Sequence, residues 1–353
     1  MTDKINISDG LVCPIPKSEY EKVVMAHGGG GTLSNQLIQK MFLSQFDNEM
    51  LKQEHDGAIF KIGNQRFAFS TDSYVVNPIF FPGGNIGDLA INGTVNDLCM
   101  CGAKPLYISA AFIIEEGFEM EDLWKVVLSM KDAANKAGVQ IVTGDTKVVD
   151  HGKGDKIYIN TAGIGLIPEN INISAEYCSV GDKIIVSGRI AEHGIAIMSA
   201  REGLEFESEI VSDSASLNDL VEKMFKVTNE INVLRDPTRG GISSALNEIA
   251  QKSNIGMLIH QNKIPITDQV KAACELLGLD PLYIANEGKL IAILPENKAN
   301  DVLTEMRKHP LGKDSEIIGE VIEENPGTVI METLIGSKRV VDMLSGEQFP
   351  RIC

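Results

Sequence analysis

The chain has 353 residues, enough for two or three average domains, and its 43% apolar and 23% charged residues are typical of a folded globular protein. Its formal net charge of −17 repels nucleic-acid backbones and anionic lipids, so we expect no nucleic-acid and no membrane partner. No apolar stretch approaches the roughly 20 residues of a membrane span, and the first residues lack a secretory signal. We therefore expect a cytoplasmic protein, and six cysteines in that setting predict reduced thiols.

Residues 1–32 form a polar N-terminal extension that ends in a glycine-rich loop, 28–31. Four consecutive glycines do not hold one conformation unaided, because glycine loses more backbone entropy on ordering than any other residue. We therefore expect a hinge or a loop that covers a ligand. Apolar residues then recur at helical spacing over 33–46 and predict an amphipathic helix with Thr32 or Ser34 as its N-cap.

From residue 57 to 166 the chain alternates short β-rich runs with longer helical patterns. The predicted strands lie at 58–62, 66–70, 106–114, 140–143 and 157–166, and the predicted helices at 87–101 and 120–137. We assign residues 33–170 to a first domain.

The periodicity lapses over 168–181, and we assign residues 171–340 to a second domain. Its predicted strands lie near 183–187, 256–260, 289–294, 317–323 and 328–334, and its predicted helices near 192–201, 215–232, 241–252, 267–277 and 296–307. The alternation in both halves predicts an α/β protein of two domains.

Residues 341–353 have neither helical nor strand periodicity and predict an extended, mobile tail. Pro350 biases the residue before it toward an extended state. Twelve residues at about 3.3 Å each span on the order of 40 Å, so the terminal cysteine can enter a cleft elsewhere on the molecule.

Acidic residues cluster with glycine at the ends of the predicted strands. These acidic positions are Asp56, Asp72, Asp88, Asp97, Asp145 and Asp236. A single aspartate at such a turn is usually an Asx-turn or a helix cap. Six of them favour a different interpretation, since carboxylate oxygens that converge at strand ends can hold Mg²⁺ against a polyphosphate.

The 87–101 helix cannot present all its polar residues to one ion. Asp88, Asn92 and Asn96 share one face at successive spacings of four residues, whereas Asp97 points about a right angle away. Asp88 can instead be the N-cap of this helix.

The segment Arg239-Gly240-Gly241 precedes a predicted helix and exposes backbone N–H groups to an anion. The chain contains neither a P-loop pattern nor Gly-x-Gly-x-x-Gly. A nucleotide must therefore bind by another scheme.

Cys353 is the last residue, which excludes CaaX prenylation because that motif needs its cysteine four residues from the end. A terminal carboxylate disfavours the thiolate, and Arg351 partly offsets this effect. A reactive role for Cys353 would need further activation from the site that receives it.

Several motifs together resemble the HypE family of hydrogenase maturation proteins, in the superfamily of aminoimidazole ribonucleotide synthetase and selenophosphate synthetase. The match runs in order from about residue 23 to the last residue. The motifs are Ala-His-Gly-Gly-Gly-Gly, Ser-Thr-Asp-Ser-Tyr-Val-Val, Gly-Asp-Leu-Ala-Ile-Asn-Gly-Thr-Val-Asn-Asp-Leu, Val-Thr-Gly-Asp-Thr-Lys-Val-Val, Leu-Arg-Asp-Pro-Thr-Arg-Gly-Gly, Ala-Asn-Glu-Gly-Lys and the terminal Pro-Arg-Ile-Cys. The internal acidic motifs indicate the superfamily, and Pro-Arg-Ile-Cys indicates the family.

The resemblance implies a two-domain PurM-like α/β (α+β) fold whose N-terminal mixed sheets pair into a shared barrel in a homodimer. It also implies ATP-dependent dehydration of a carbamoyl group on the C-terminal cysteine to a thiocyanate, which supplies cyanide to nickel-iron hydrogenase. The implied cofactors are ATP and Mg²⁺. The implied partners are a HypF-type carbamoyltransferase and a HypC-HypD-type complex.

The resemblance further assigns roles to individual residues. The catalytic residues that it implies are Cys353, which carries the carbamoyl group, and the pair Lys147 and Glu287. The nucleotide and Mg²⁺ residues are Asp56, Asp72, Asp97 and Asp236, which are also the expected metal ligands, with Gly144, Asp145, Thr146, Asp88 and Asn92 as further nucleotide-binding candidates. Residues 1–22, including Cys13, cannot be matched to the family pattern.

The chemistry of the residues agrees with this interpretation. An amide oxygen is a poor leaving group, so a nitrile forms only if that oxygen is first phosphorylated and two N–H protons are removed. ATP with Mg²⁺ supplies the phosphoryl group, and Lys147 can balance charge in the transition state. Glu287 is a reasonable general base if burial raises its pKa, although a solvated glutamate before the 289–294 strand is the simpler alternative.

Two other functions remain open at this point. The chain can be another ATP-dependent synthetase of the same superfamily that acts on a small diffusible substrate and needs no reactive C-terminal residue. It can also be a non-catalytic scaffold whose tail docks other maturation factors.

Overall fold

A computed structural model describes residues 20, 22–204, 210–346 and 351–353, and every structural statement below concerns these residues. Within them the chain forms two domains, each built on its own mixed sheet. The chain passes from the first sheet to the second between Ile167 and Lys183. The predicted two-domain α/β fold is therefore confirmed, whereas the proposed domain boundaries stay a prediction.

The first domain is a five-stranded sheet in the order β1-β2-β7-β5-β6, in which only β5 and β6 run parallel. Its elements are β1 (Ala58–Ile62), β2 (Gln65–Tyr74), the short β3 (Phe80–Phe81) and β4 (Gly84–Asn85), β5 (Lys104–Glu115), β6 (Gln140–Val149), β7 (Ile157–Ile167) and the helices α3 (Ile86–Met100) and α4 (Met120–Ala137).

Helix α3 is buried almost all round, with 13 of its 15 residues buried. A helix of this kind needs cover on all sides. It packs against α4 on one side and against β2, β5 and β7 on the other. Gly138 ends α4 in the left-handed conformation, which glycine adopts without strain.

The predicted helix over 33–46 forms as three consecutive segments, α1 (Thr32–Leu37), a π-helical turn (Ile38–Leu43) and α2 (Ser44–Phe46). Its N-cap is Gly31, not Thr32 or Ser34 as the sequence suggested. Ser34 instead uses its hydroxyl to accept from the Gly30 N–H and to donate to the His27 carbonyl, at 3.0 and 2.9 Å. These bonds stabilise the glycine-rich loop before the helix.

The second domain is a seven-stranded sheet in the order β14-β13-β10-β12-β8-β11-β9. Its elements are β8 (Lys183–Val186), α5 (Glu192–Glu202), α6 (Asn218–Val227), β9 (Val233–Arg235), α7 (Gly241–Ser253), β10 (Gly256–His260), α8 (Asp268–Leu277), β11 (Ile291–Leu294), α9 (Glu296–Met306), β12 (Glu316–Ile322), β13 (Val329–Glu332) and β14 (Lys338–Val340).

Helix α6 is shorter than the helix predicted over 215–232. It begins at Asn218 because the Leu217 N–H is held by the Asn96 side chain at 2.8 Å. It ends before Thr228, which adopts an extended conformation and leads into β9. The predicted helix therefore stops at Val227, and the strand β9 that follows carries Arg235 toward the first domain.

The five described cysteines are free thiols, as expected, and Cys13 lies outside the described residues. In the part of the chain that the structure describes, no helix is both long and apolar enough to cross a membrane.

Candidate active site

Three carboxylates from distant parts of the chain meet where the two domains touch. Asp56 precedes β1, Asp97 lies in the last turn of α3, and Asp236 follows β9. One oxygen from each lies within 4.8 Å of the others. The sequence predicted these residues as metal ligands at strand ends, and the fold brings these three together.

An arginine is the permanently charged cation of this cluster, and His55 lies beside the same aspartate, with its Nδ1 3.4 Å from Asp56 Oδ2. Arg235 Nη1 lies 3.1 Å from Asp56 Oδ1, and the same guanidinium pairs with Glu248 on α7. Burial is the largest influence and raises the pKa of Asp56, but the Arg235 charge, His55 and a backbone hydrogen bond together outweigh it and hold the pKa of this carboxyl below its usual range.

The other two carboxylates lack such a partner. Burial, together with the neighbouring aspartates, raises the pKa of Asp97 well above its usual range and that of Asp236 to about 8. Asp56 Oδ2 is buried without a hydrogen bond. Buried like charges and a bare carboxylate oxygen are what a hard divalent cation compensates, so these residues fit Mg²⁺.

The fourth predicted metal ligand, Asp72, lies inside β2 rather than at its end. Its Oδ1 lies 3.5 Å from Arg239 Nη2, and burial raises the pKa of this carboxyl. Arg239 also donates to the Gly28 carbonyl at 3.0 Å, and a Cβ on Gly30 would lie 2.6 Å from the Arg239 Cβ. The glycine-rich loop therefore packs directly on the arginine that faces Asp72.

Glu287 is 3% exposed and lies just before the strand β11. Its N–H donates to Asp213 Oδ1, and its carbonyl accepts from the Asn96 side chain, at 3.0 and 3.1 Å. Its Oε1 atom is buried without a hydrogen bond, and burial, with the nearby carboxylates Asp236 and Asp72, raises its pKa well above the usual range. Glu287 is therefore not a solvated surface charge, and a raised pKa suits a general base.

Cys353 lies in the same cleft and is 6% exposed. The Val75 N–H donates to an oxygen of its terminal carboxylate at 3.0 Å. Burial raises the pKa of the thiol to about 12, although the Arg239 charge opposes the shift. Glu287, Asp72 and Arg239 are all electrostatic neighbours of this thiol, so the last residue of the chain lies beside the predicted base.

The remaining catalytic candidate, Lys147, lies elsewhere. The strand predicted over 140–143 continues to Val149, so Gly144, Asp145, Thr146 and Lys147 lie on the exposed edge strand β6 rather than in a turn. Gly144 is required there because a Cβ would lie 2.1 Å from the Ala110 carbonyl of β5. Lys147 pairs with Asp145 at 2.7 Å, and it is not among the groups that perturb Glu287.

Asp88 and Asn92 are likewise not brought into the acidic cluster. Asn85, not Asp88, is the N-cap of α3, and Asp88 completes the capping box by accepting from the Asn85 N–H at 2.7 Å. Asn92 exchanges hydrogen bonds with Ser214 and Ser216. Both residues line a polar cleft of about 720 Å³ between α3, α4 and the start of α6.

A larger cavity of about 1150 Å³ opens beside the acidic cluster. Asp56 and Arg235 line its floor, Phe60 and Phe69 line its sheet side, and Lys252 lies at its edge. A space of this size with apolar walls and a charged floor is typical of a ligand site.

Sequence reasoning gave no role to Arg235, to the Arg239 side chain or to Asn96. The signal for both arginines was present, because the motif that contains Asp236 carries a cation on either side of it. Asn96 positions Glu287 and the start of α6, and only its shared helical face with Asp88 and Asn92 singled it out.

Residues 54–167 match the family described as the N-terminal domain of AIR synthase related proteins, and residues 179–332 match its C-terminal domain. A protein from Cupriavidus necator named carbamoyl dehydratase HypE is 54% identical over 94% of this chain and 95% of its own length. A relative of the same name from Bradyrhizobium diazoefficiens is 53% identical over 94% of this chain and 96% of its own length.

The crystal structure of a hydrogenase maturation protein HypE in complex with ATP is 48% identical, covers 94% of this chain and all of the other, and gives a TM-score of 0.80. A HypE-HypF complex gives a TM-score of 0.84 at 48% identity and covers 87% of this chain and 99% of the other. The two domains of the fold correspond to the two matched family models. The chain belongs to the HypE family of hydrogenase maturation proteins, whose curated members include carbamoyl dehydratases.

Proposed function

We propose that this protein is an ATP-dependent carbamoyl dehydratase that converts a carbamoyl group on Cys353 to a thiocyanate and so supplies cyanide for nickel-iron hydrogenase. One observation carries the proposal. The terminal cysteine lies buried beside Glu287 and Arg239, next to a cluster of carboxylates that fits Mg²⁺. A scaffold that uses its tail only for docking would not need that arrangement.

The proposed nucleotide site is the cavity beside Asp56 and Arg235, with Asp56, Asp97 and Asp236 holding Mg²⁺. Asp72 lies close enough to influence the pKa values of Asp97 and Asp236 and is the fourth candidate ligand. ATP with Mg²⁺ supplies the phosphoryl group that makes the carbamoyl oxygen a leaving group. A related HypE was solved in complex with ATP, which supports ATP as the nucleotide.

The protein's own residues hold and deprotonate the carbamoyl group. Glu287 accepts an N–H proton, since its unbonded Oε1 faces no competing donor and its raised pKa lets it hold the proton. Arg239 is an electrostatic neighbour of both Asp72 and Cys353, and its positive charge offsets the negative charge that develops beside the sulfur. The carbamoyl oxygen would attack the γ-phosphorus of ATP as ADP leaves. Glu287 would take one N–H proton and the departing phosphate the second, and the carbon–oxygen bond would break to leave S–C≡N and inorganic phosphate.

Loading of the cysteine requires the tail to leave the cleft. The docked thiol is buried and has a pKa of about 12, so it is a poor nucleophile in that position. A HypF-type carbamoyltransferase would carbamoylate Cys353 while the tail is outside, and a HypC-HypD-type complex would then accept the cyanide. The HypE-HypF complex of a relative supports the first of these partners.

A homodimer would complete the site. Exposed apolar side chains lie on one face of the sheet at β2 and β5, including Phe69, Tyr107 and Ile113 at 45 to 47% exposure. Apolar side chains exposed on one face of the same sheet indicate that this face is uncovered. We propose that two copies pair these sheets into a shared barrel, which brings β6 and Lys147 of one copy toward the other.

Intact-mass analysis tests the function directly. After incubation with HypF, carbamoyl phosphate and ATP, the C-terminal peptide should show a carbamoyl adduct and then its dehydrated cyano form. Cys353→Ala should lose both adducts and keep ATP binding, whereas Cys178→Ala, the matched control on a half-buried cysteine, should behave as wild type.

Two outcomes would favour the alternatives. ATP turnover that is insensitive to deletion of Cys353 would indicate a synthetase for a small substrate. An absence of turnover and of adducts with all partners present would indicate a scaffold.

A further inference from the structure

The C-terminal tripeptide docks like an added strand along residues 75–77. The Val75 N–H donates to a terminal carboxylate oxygen of Cys353 at 3.0 Å, and the Asn77 N–H donates to the Arg351 carbonyl at 3.2 Å. Main-chain bonds of this kind recognise an extended segment but leave its alternate carbonyl, that of Ile352, on the other side. That carbonyl points into the second domain, where it needs a donor.

The donor is His193, a fully buried residue in the first turn of α5. His193 Nε2 lies 2.8 Å from the Ile352 carbonyl oxygen, and Nδ1 lies 2.7 Å from Ser212 Oγ. A carbonyl oxygen only accepts, so Nε2 carries the proton and Nδ1 accepts from the Ser212 hydroxyl. Ser212 Oγ in turn accepts from the Ser214 N–H at 3.1 Å, which fixes the chain of bonds in one direction.

The imidazole is held rigidly in this orientation. The ring packs edge-on against Phe81 with centroids 5.7 Å apart, and burial lowers the pKa of His193, which favours the neutral ring. The side chain of Ile352 is 3% exposed and lies next to Gly194, where a Cβ would be 3.4 Å from Ile352 Cδ1. The same turn of α5 therefore binds both the carbonyl and the side chain of residue 352.

A second residue of α5 reinforces the contact. Arg201 Nη2 donates to the carbonyls of Asn77 and Arg351 at 2.6 and 2.9 Å, and so joins the strand and the tail that lies on it. The Arg351 side chain donates to the Val75 carbonyl at 2.9 Å and pairs with Asp155. The carbonyls of Arg351 and Ile352 and the terminal carboxylate of Cys353 therefore each accept a hydrogen bond from the surrounding protein.

We propose that His193, oriented by Ser212, is a positioning residue that latches the tail through the Ile352 carbonyl and thereby places Cys353 beside Glu287. His193 and the turn of α5 around it contact the backbone and the side chain of Ile352 rather than the sulfur of Cys353. They therefore hold the tail in the same way whether Cys353 is free or carries a carbamoyl group. Its use in dehydration rests on the proposed function, but the docking itself does not.

Alkylation of the full-length protein by iodoacetamide, followed peptide by peptide, tests the docking without any catalysis. Loss of one buried hydrogen bond should raise the alkylation rate of Cys353 about five- to tenfold in His193→Leu. His193→Gln, whose amide N–H can replace Nε2, should stay close to wild type. Cys99 and Cys101, each 1% exposed, are internal references whose rates should not change.

Ser212→Ala is the milder variant, since it removes only the group that orients the imidazole. It should raise Cys353 alkylation in the same direction as His193→Leu with an unchanged melting temperature. An unchanged Cys353 rate in both variants, or an equal rise at Cys99 and Cys101, would overturn the proposal. So would His193→Gln behaving like His193→Leu.

A single-turnover measurement separates docking from chemistry. With protein already carbamoylated on Cys353, His193→Leu should convert the adduct to the cyano form several-fold more slowly at unchanged ATP affinity, because the docked tail then lacks the bond that sets the position of Cys353 beside Glu287. If the dehydratase assignment is wrong, no conversion occurs in any variant, yet the alkylation result stands. Faster alkylation with normal conversion would show that the contact does not position the cysteine for the reaction.

Discussion

Arg235 and Asp56 form an ion pair across the two domains, with Nη1 and Oδ1 3.1 Å apart. The pair neutralises one member of the acidic cluster and leaves Asp97 and Asp236 without a cation of their own. Such an asymmetry is expected where a divalent ion is to be bound, because a fully paired cluster would have no free carboxylate to offer.

Replacement of Arg235 should show how much this ion pair stabilises the folded protein when no divalent ion is bound. In Arg235→Gln, Asp56 becomes a third uncompensated buried carboxyl, so the free energy of unfolding should fall by about 2–4 kcal/mol. Mg²⁺ should restore more stability to this variant than to wild type. Arg307→Gln, which breaks the exposed pair with Glu316, is the control and should show neither effect in thermal unfolding with and without MgCl₂.

Asp236→Asn should weaken Mg²⁺-dependent ATP binding at least about tenfold, because an amide replaces a charged oxygen ligand poorly. Asp88→Asn is the matched control, since Asp88 caps α3 away from the cluster. It should lower the melting temperature slightly and leave ATP affinity unchanged in calorimetry. Equal losses in the two variants would place the nucleotide in the cleft beside Asn92 instead.

Glu287→Gln keeps the size of the side chain but cannot accept a proton. Carbamoylated protein should accumulate, and its conversion to the cyano form should slow by about 10²–10⁴-fold, with ATP binding intact. Glu192→Gln is the control, because Glu192 lies near Lys289 but is not among the electrostatic neighbours of Cys353. Normal conversion by Glu287→Gln in single-turnover mass spectrometry would assign the proton acceptor elsewhere, with His27 on the glycine-rich loop as the next candidate.

Lys147 can act at Glu287 only from a second copy if it stays on the exposed edge of β6. Lys147→Ala and Glu287→Gln should each be inactive alone. Mixed dimers of the two should recover about a quarter of wild-type turnover, because half the dimers are mixed and each then holds one intact site. No recovery, with mixed dimers verified by native mass spectrometry, would place both residues in one chain's site or Lys147 outside the site altogether.

Docking of the tail should weaken at high pH. The pKa of docked Cys353 is about 12, above the ordinary value of 9.0, so docking favours the thiol. Docking is therefore at full strength below pH 9 and is lost as the pH rises from 9 toward 12. The alkylation rate of a free Pro-Arg-Ile-Cys peptide should level off about one pH unit above 9.0, whereas that of Cys353 in the protein should continue to rise beyond that pH.

Much of the fold followed from local pattern. The period of the apolar residues located α3, α4 and β7 to within a residue or two, because these elements are long and each has a fully buried side. Pattern failed where tertiary contacts decide. Helix α6 is shorter than predicted because Asn96 holds the N–H of Leu217 before its first turn and the chain becomes extended at Thr228 before β9. Strand β6 runs on past residue 143 because β5 pairs with it as far as Val149.

The candidate site divides in the same way. The sequence by itself determined which residue types were available, namely carboxylates beside glycines, two arginines around Asp236 and a terminal cysteine after Pro-Arg-Ile. Only the tertiary structure decided which of them meet, since Asp56, Asp97 and Asp236 are brought together by a strand of the second domain that reaches the first. It also placed Cys353 beside Glu287 through hydrogen bonds to Val75 and His193, because a segment without periodicity carries no local signal of where it docks.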